Sequence, residues 1–174
     1  INAINRSAFF PPFDPWLSGS TINYYYLGHL IVAGLIRVSG VPATVGFNLA
    51  TPLLAALTAT GIFSIVTNLV ARDRSDDSSS RTSVPAVAGL FAASLCTVFG
   101  NLGGALQLFS SAGAGGDYNW WNPSRVIPHT INEFPFFSFL LADLHAHVMA
   151  IPFGLLVVGL SLELAMTPSM ELLW

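Results

Sequence analysis

Apolar residues fall into four long runs, and the stretches between them hold most of the charge. Ile22 to Val38 is 17 residues long with one charge, Arg37, near its end, close to the lower length for a bilayer-spanning helix. Phe47 to Ala71 gives 25 residues without a charge, interrupted by Pro52 in the first turn of the expected span, where a missing N–H is cheap. Val84 to Ser111 is also uncharged; it opens with Pro85 and carries Gly100, Gly103 and Gly104 late, a cluster able to bend or break a helix. The fourth run goes from about His147 to Met166, with Glu163 near its end. The pattern predicts an all-α, polytopic transmembrane helical bundle: one domain over residues 1–174, about four membrane helices, one of them broken or re-entrant.

The connecting stretches refine this. Residues 72–83, RDRSDDSSSRTS, are polar and serine-rich, which predicts a mobile aqueous loop. Its three arginines would place it in the cytoplasm by the positive-inside tendency. Residues 112–135 read as an interfacial loop, with Trp120 and Trp121 suited to the headgroup belt. Three full crossings between Asp14 and this loop would put the two on opposite sides. Either one run is re-entrant, with the Gly100 to Gly104 region as the break, or the polar groups meet near the midplane.

Composition agrees with a membrane solvent. The chain has 174 residues, 53% hydrophobic and 9% charged, against roughly 25% charged in soluble proteins. Six Arg, no Lys and nine acids give a net charge of −3, too little positive charge for a nucleic-acid partner. The single Cys96 makes an intrachain disulfide impossible and suits small-residue packing. No secretory-signal pattern opens the chain, and Ile1 and Trp174 read as cuts through a longer polypeptide.

The few ionisable residues are the candidate chemistry. Asp14 sits among Pro11, Pro12 and Pro15, which hold it in a fixed, non-helical surface segment. There it is a general base, a metal ligand or a sugar-hydroxyl contact, or simply a turn residue capping local N–H groups. Tyr25 and His29 share a helical face four residues apart; an imidazole inside an apolar span needs a partner or a function. The tyrosines also suit interfacial anchoring. The densest signal puts Glu133, Asp143, His145 and His147 within fifteen residues of an apolar stretch. On a helix Asp143 and His147 share a face and His145 points away; on an extended chain all three point the same way, as a compact divalent-metal site prefers. The plainer alternative is an Asp pairing with His147 and satisfying backbone donors at the start of the last helix. Arg125 is suited to clamping a phosphate, or to a structural pair with Glu133 or Asp143.

These residues resemble the YYY or DUF2298 family of large archaeal and Chloroflexi membrane proteins. The resemblance rests on Phe13, Asp14, Pro15 and Trp16, on Tyr24, Tyr25, Tyr26 and Gly28, and on the NEFP and DLHAH stretches from Asn132 to His147. That family looks like a distant relative of the GT-C glycosyltransferases, which take sugars from polyprenyl-phosphate donors. The resemblance implies a partial GT-C-like module in the cell membrane, crossing it several times. It implies a catalytic role for Asp14 and a lipid-phosphate contact from Arg125; the ionisable residues themselves add Asp143 as a second catalytic candidate and Tyr25, His29 and Glu133 as substrate contacts. A divalent ion would bind Asp143, His145 and His147. Membrane lipids and a polyprenyl-phosphate sugar are the expected partners. The competing reading is a non-catalytic subunit of a respiratory or photosynthetic membrane complex. Small residues such as Gly34, Ala55, Ala56, Gly89 and Ala92 would then pack against other subunits, and His29 or His147 would contact pigment. A transporter with a proton relay is a third option.

Overall fold

The computed structural model describes residues 1–24, 26–73, 83–114 and 118–167. Its helices are α1 (Asn2–Arg6), α2 (Tyr26–Ser39), α3 (Ala43–Asp73), α4 (Ser83–Ser94), α5 (Gly103–Ala114), α6 (Pro135–Leu140) and α7 (Ala146–Met166). A π-turn, Leu95–Phe99, follows α4, and a 3₁₀ turn spans Asn122–Ser124. Among the described residues there is no β-strand, only an isolated bridge between Phe13 and Thr21.

Among the described residues, two helices, α3 and α7, are long and apolar enough to cross a membrane, and the bent pair formed by α4 with its π-turn and α5 makes a third span at most. The bundle class is as expected, but the first run yields less than a span. Its opening residues are used elsewhere: the Ile22 N–H donates to Pro12 O, so a hairpin around the Phe13–Thr21 bridge precedes the helix. Gly40, with φ +70, then ends α2 after 14 residues. That is about 21 Å of helix against roughly 30 Å of hydrocarbon. Pro52 also falls elsewhere than expected: α3 starts at Ala43, so Pro52 lies in its interior, where it removes one backbone bond.

Glycines set how the long helices pack. Leu155 of α7 seats on Gly61 of α3, Ile65 of α3 faces Gly159 of α7, and Arg72 reaches Glu163. Positions rise together, so α3 and α7 run parallel. Since Leu155 faces Gly61, the start of α7 falls near Pro52. The 31-residue α3 therefore extends past the 21-residue α7 at its N-terminal end. There α2 lies along it, with Ile36 seated on Gly46. The core of Val32, Ile36, Ala50, Leu54, Leu144, Val148 and Met149 forms where α2, the first half of α3 and the start of α7 meet. The outer faces of α3 and α7 stay apolar and exposed, at Val45, Phe47, Val157 and Leu164 for example, as lipid contact requires.

α4 returns along the second half of α3, with Gly89 against Phe63 and Thr67. The expected break then appears. The Ser94 and Thr97 hydroxyls donate back to Leu90 O and Ala93 O, a pattern that bends helices. The Gly100 N–H donates to Leu95 O, and Gly100 adopts φ 53, ψ −117, a conformation open essentially to glycine. The helix axis turns by 64° across this break. Cys96 is exposed in the π-turn, not packed as its size suggested.

Candidate functional site

Residues 118–145 fold against the break. The Asn101 side chain joins the two: its Nδ2 donates to Pro123 O at 2.8 Å and its Oδ1 accepts from Gly103 N at 2.9 Å. Asn132 N–H donates to Ser124 O and its Oδ1 accepts from Ile127 N, closing the loop just before Glu133. Phe134 lies against Gly100, and Pro135 opens α6 at the position where its lost N–H is not needed. These contacts fix Glu133 from both sides.

A Schellman cap ends α6. Asp143 N–H donates to Ser138 O and Ala142 N–H to Phe139 O, and Ala142 takes the positive φ, 54°, that this motif usually gives to glycine. The chain then runs extended through His145, the N-cap of α7, with φ −70 and ψ 154. Period-two alternation follows. Leu144 turns into the core at 4% exposure, while Asp143 and His145 meet on the other side, Asp143 Oδ2 in direct contact with His145 Nδ1. Glu133 Oε2 lies 3.8 Å from the same nitrogen and 3.7 Å from His147 Nε2. The buried Ser138 hydroxyl lies 3.3 Å from His147 Nε2.

Two of the three expected metal ligands, Asp143 and His145, therefore meet, and Glu133 is the third group that comes closest to them. Glu133, Asp143 and His145 offer ligand atoms within 4.8 Å of one another, with His147 beside them. The reason is where α7 begins: the helix starts only at Ala146, so the extended alternative governs Asp143 and His145, while His147 already follows helical geometry. Neither an Asp143–His147 pair nor an Arg125 ion pair forms among the described residues. No Arg lies within 4.0 Å of Glu133 or Asp143 among them, and the chain has no Lys.

The sequence profile of the family described as uncharacterized membrane protein (DUF2298) matches residues 1–173. The chain belongs to the DUF2298 family. No curated protein and no solved structure matches it.

The other expected site residues of this DUF2298 chain are not among the three that the cluster brings together. Asp14 Oδ1 accepts from Trp16 N at 2.8 Å and Leu17 N at 3.3 Å, the local capping arrangement of a turn. Arg125 is exposed; its Nη1 donates to Ser124 O and Ser124 Oγ, and its guanidinium stacks over Trp121 at 5.6 Å. Trp121 in turn packs edge-on against Phe137 of α6. His29 lies in the first turn of α2, beside Gly28, which packs on Met149 two residues past His147. Tyr25 lies outside the described residues, as do residues 74–82 of the polar loop. Sequence reasoning did not single out Ser138. The available signal was a hydroxyl inside the apolar PFFSFLL run.

Proposed function

We propose that this chain carries the catalytic face of a membrane glycosyltransferase of the GT-C kind, which takes its sugar from a polyprenyl phosphate at the Glu133, Asp143, His145 and His147 cluster. The supporting observation is an apolar groove that passes beside that cluster. The groove, of about 900 Å³ between α2, α3 and α7, runs from Ser39, Val41 and Gly46 to Arg72 and Glu163, and on the way it is lined by Gly28 and by Met149, two residues past His147. Polar groups beside an apolar groove suit a substrate with a polar head and a long hydrocarbon tail.

In this reading the acceptor hydroxyl oxygen bonds to the sugar C1 while the C1–O bond to the lipid phosphate breaks, and the phosphate leaves with the electron pair. The hydroxyl proton passes to His147, the more exposed imidazole. Glu133 and Asp143 set the charge of the site. Asp14, with one oxygen used in its turn, positions the acceptor.

Sidedness supports a combined site. With α2 too short to span, α3 descends and α4 with its π-turn returns, so Asp14 and residues 118–145 share one face. The end of α3 at Asp73 and the start of α4 at Ser83 then lie on the opposite face, cytoplasmic by the positive-inside tendency. Of the small residues that favour the accessory-subunit reading, Gly89 packs against the chain's own α3, while Gly34 faces open space.

The test is turnover of lipid-linked sugars by purified full-length protein in detergent. Removal of a positioned proton acceptor typically costs 10²–10⁴-fold, so His147→Ala and Asp143→Asn are expected to lose at least about 100-fold. Turnover unchanged in Asp14→Asn, Asp143→Asn and His147→Ala would sink the reading.

A further inference from the structure

We infer that Glu133, Asp143 and His145 form a binding site for one first-row divalent metal ion, of the Mn²⁺ or Zn²⁺ class, in preference to Mg²⁺ or Ca²⁺. The inference names the cofactor of the site proposed above and rests on that reading only for what the ion does in catalysis.

The donors come from two separately anchored parts of the chain. Glu133 follows the loop closed by Asn132, while Asp143 and His145 follow the Schellman cap of α6. Both carboxylates converge on one atom, His145 Nδ1. An imidazole nitrogen carries one proton and serves one acceptor well, so with His145 Nδ1 in contact with Asp143, Glu133 Oε2 is left 3.8 Å from that nitrogen and 3.7 Å from His147 Nε2, both beyond hydrogen-bond reach. Glu133 is also withdrawn from solvent, its side chain 15% exposed. Two carboxylates this close repel, and among the described residues no arginine offsets them.

A divalent ion between the three donors resolves both problems. It is bound by the Nδ1 lone pair, with the imidazole proton held on Nε2, and by one oxygen from each carboxylate. Ligand atoms about 2.1 Å from an ion lie roughly 3 to 3.5 Å from one another, so the present spread within 4.8 Å closes by small side-chain rotations. The nitrogen donor disfavours Mg²⁺ and Ca²⁺, which take oxygen, while imidazole with carboxylate suits Mn²⁺ and Zn²⁺. Three protein donors leave open positions, the pattern of a catalytic site, where phosphate oxygens of a lipid-linked donor would enter. His147, 3.7 Å from Glu133, stands beside the ion.

The experiment uses chelator-stripped, full-length protein in detergent, titrated with Mn²⁺ and followed by electron paramagnetic resonance. One tightly bound Mn²⁺ per chain is expected, displaced by Zn²⁺ and not by equimolar Mg²⁺. Pulsed spectra should show coupling to one imidazole ¹⁴N. Glu133→Gln, Asp143→Asn and His145→Gln should each weaken binding at least about tenfold, and Asp14→Asn should bind as the wild type does. The nitrogen coupling is read on the wild type, so the test does not depend on a variant folding. Absence of a stoichiometric ion, an ion without nitrogen coupling, or binding unchanged in folded Asp143→Asn overturns the site. A bound ion in a protein that transfers no sugar supports the site while removing the proposed function. Transfer that survives with no ion bound does the reverse.

Discussion

The 64° break before the site rests on one residue, and Gly100→Ala measures how much. Gly100 has φ 53 and ψ −117, outside the regions open to residues with a Cβ; holding alanine there costs about 1–3 kcal/mol. The new methyl would also fall 2.3 Å from Phe134 Cδ2 and 2.9 Å from Cε2. The ring is packed against Phe137 at 5.9 Å, so displacing it adds a further overpacking cost of about 1–3 kcal/mol. The two contributions predict a loss of about 2–6 kcal/mol. The assay is reversible unfolding in mixed detergent micelles, run as a double-mutant cycle with Phe134→Ala. Truncating Phe134 removes the clash and leaves the backbone cost, so the effect of Gly100→Ala should shrink by about 1–3 kcal/mol in that background. A loss under about 1 kcal/mol, or one identical in both backgrounds, refutes the reasoning. Because Phe134 follows Glu133, Gly100→Ala should also weaken any ligand binding at the cluster.

Four more changes separate packing from conformation. Gly89→Ala places a methyl 2.2 Å from Thr67 Oγ1 and 2.9 Å from Phe63 O and should destabilise by about 1–3 kcal/mol; Gly34→Ala, with open space around it, should be neutral or stabilising by up to about 1 kcal/mol. Both are read in the same unfolding assay. Ala142→Gly relieves a positive φ that costs alanine about 1–2 kcal/mol, less the extra freedom of glycine in the unfolded chain; a small gain in stability is expected, and a clear loss would remove the Schellman-cap strain. Asn101→Ala removes the bond to Pro123 O that ties the break to residues 118–134, together with the local bond from Gly103 N–H, and should cost about 1–3 kcal/mol, with faster hydrogen exchange at Gly103 as its local signature.

The long apolar runs made α3, α7 and the bent third span legible in the sequence, because burial in hydrocarbon leaves a composition that survives any detail of packing. The glycine cluster likewise marked the break. The first run misled because hydropathy does not register a turn: Ile22 is apolar, yet its N–H serves the Asp14 hairpin, and α2 begins four residues later. At the site, the sequence gathered the right neighbourhood and left the register open. The position at which α7 begins decides whether Asp143 meets His145 or His147, and that position depends on Leu144 entering a core built from α2 and α3, a long-range packing outcome. Glu133 joined the cluster for a similar reason, through Asn132 and Phe134 contacts to residues that no local pattern links.

The central claim is that the Asp14 hairpin and the Glu133 to His147 cluster lie on one membrane face, with the far end of α3 on the other. Cysteine accessibility tests it most directly: Ser18→Cys, Thr130→Cys and Asp73→Cys, each exposed, in a Cys96→Ser background, labelled by a membrane-impermeant maleimide in oriented vesicles. The account predicts that positions 18 and 130 label from the same side and position 73 only from the opposite one. Labelling of 18 and 130 from opposite sides would contradict it.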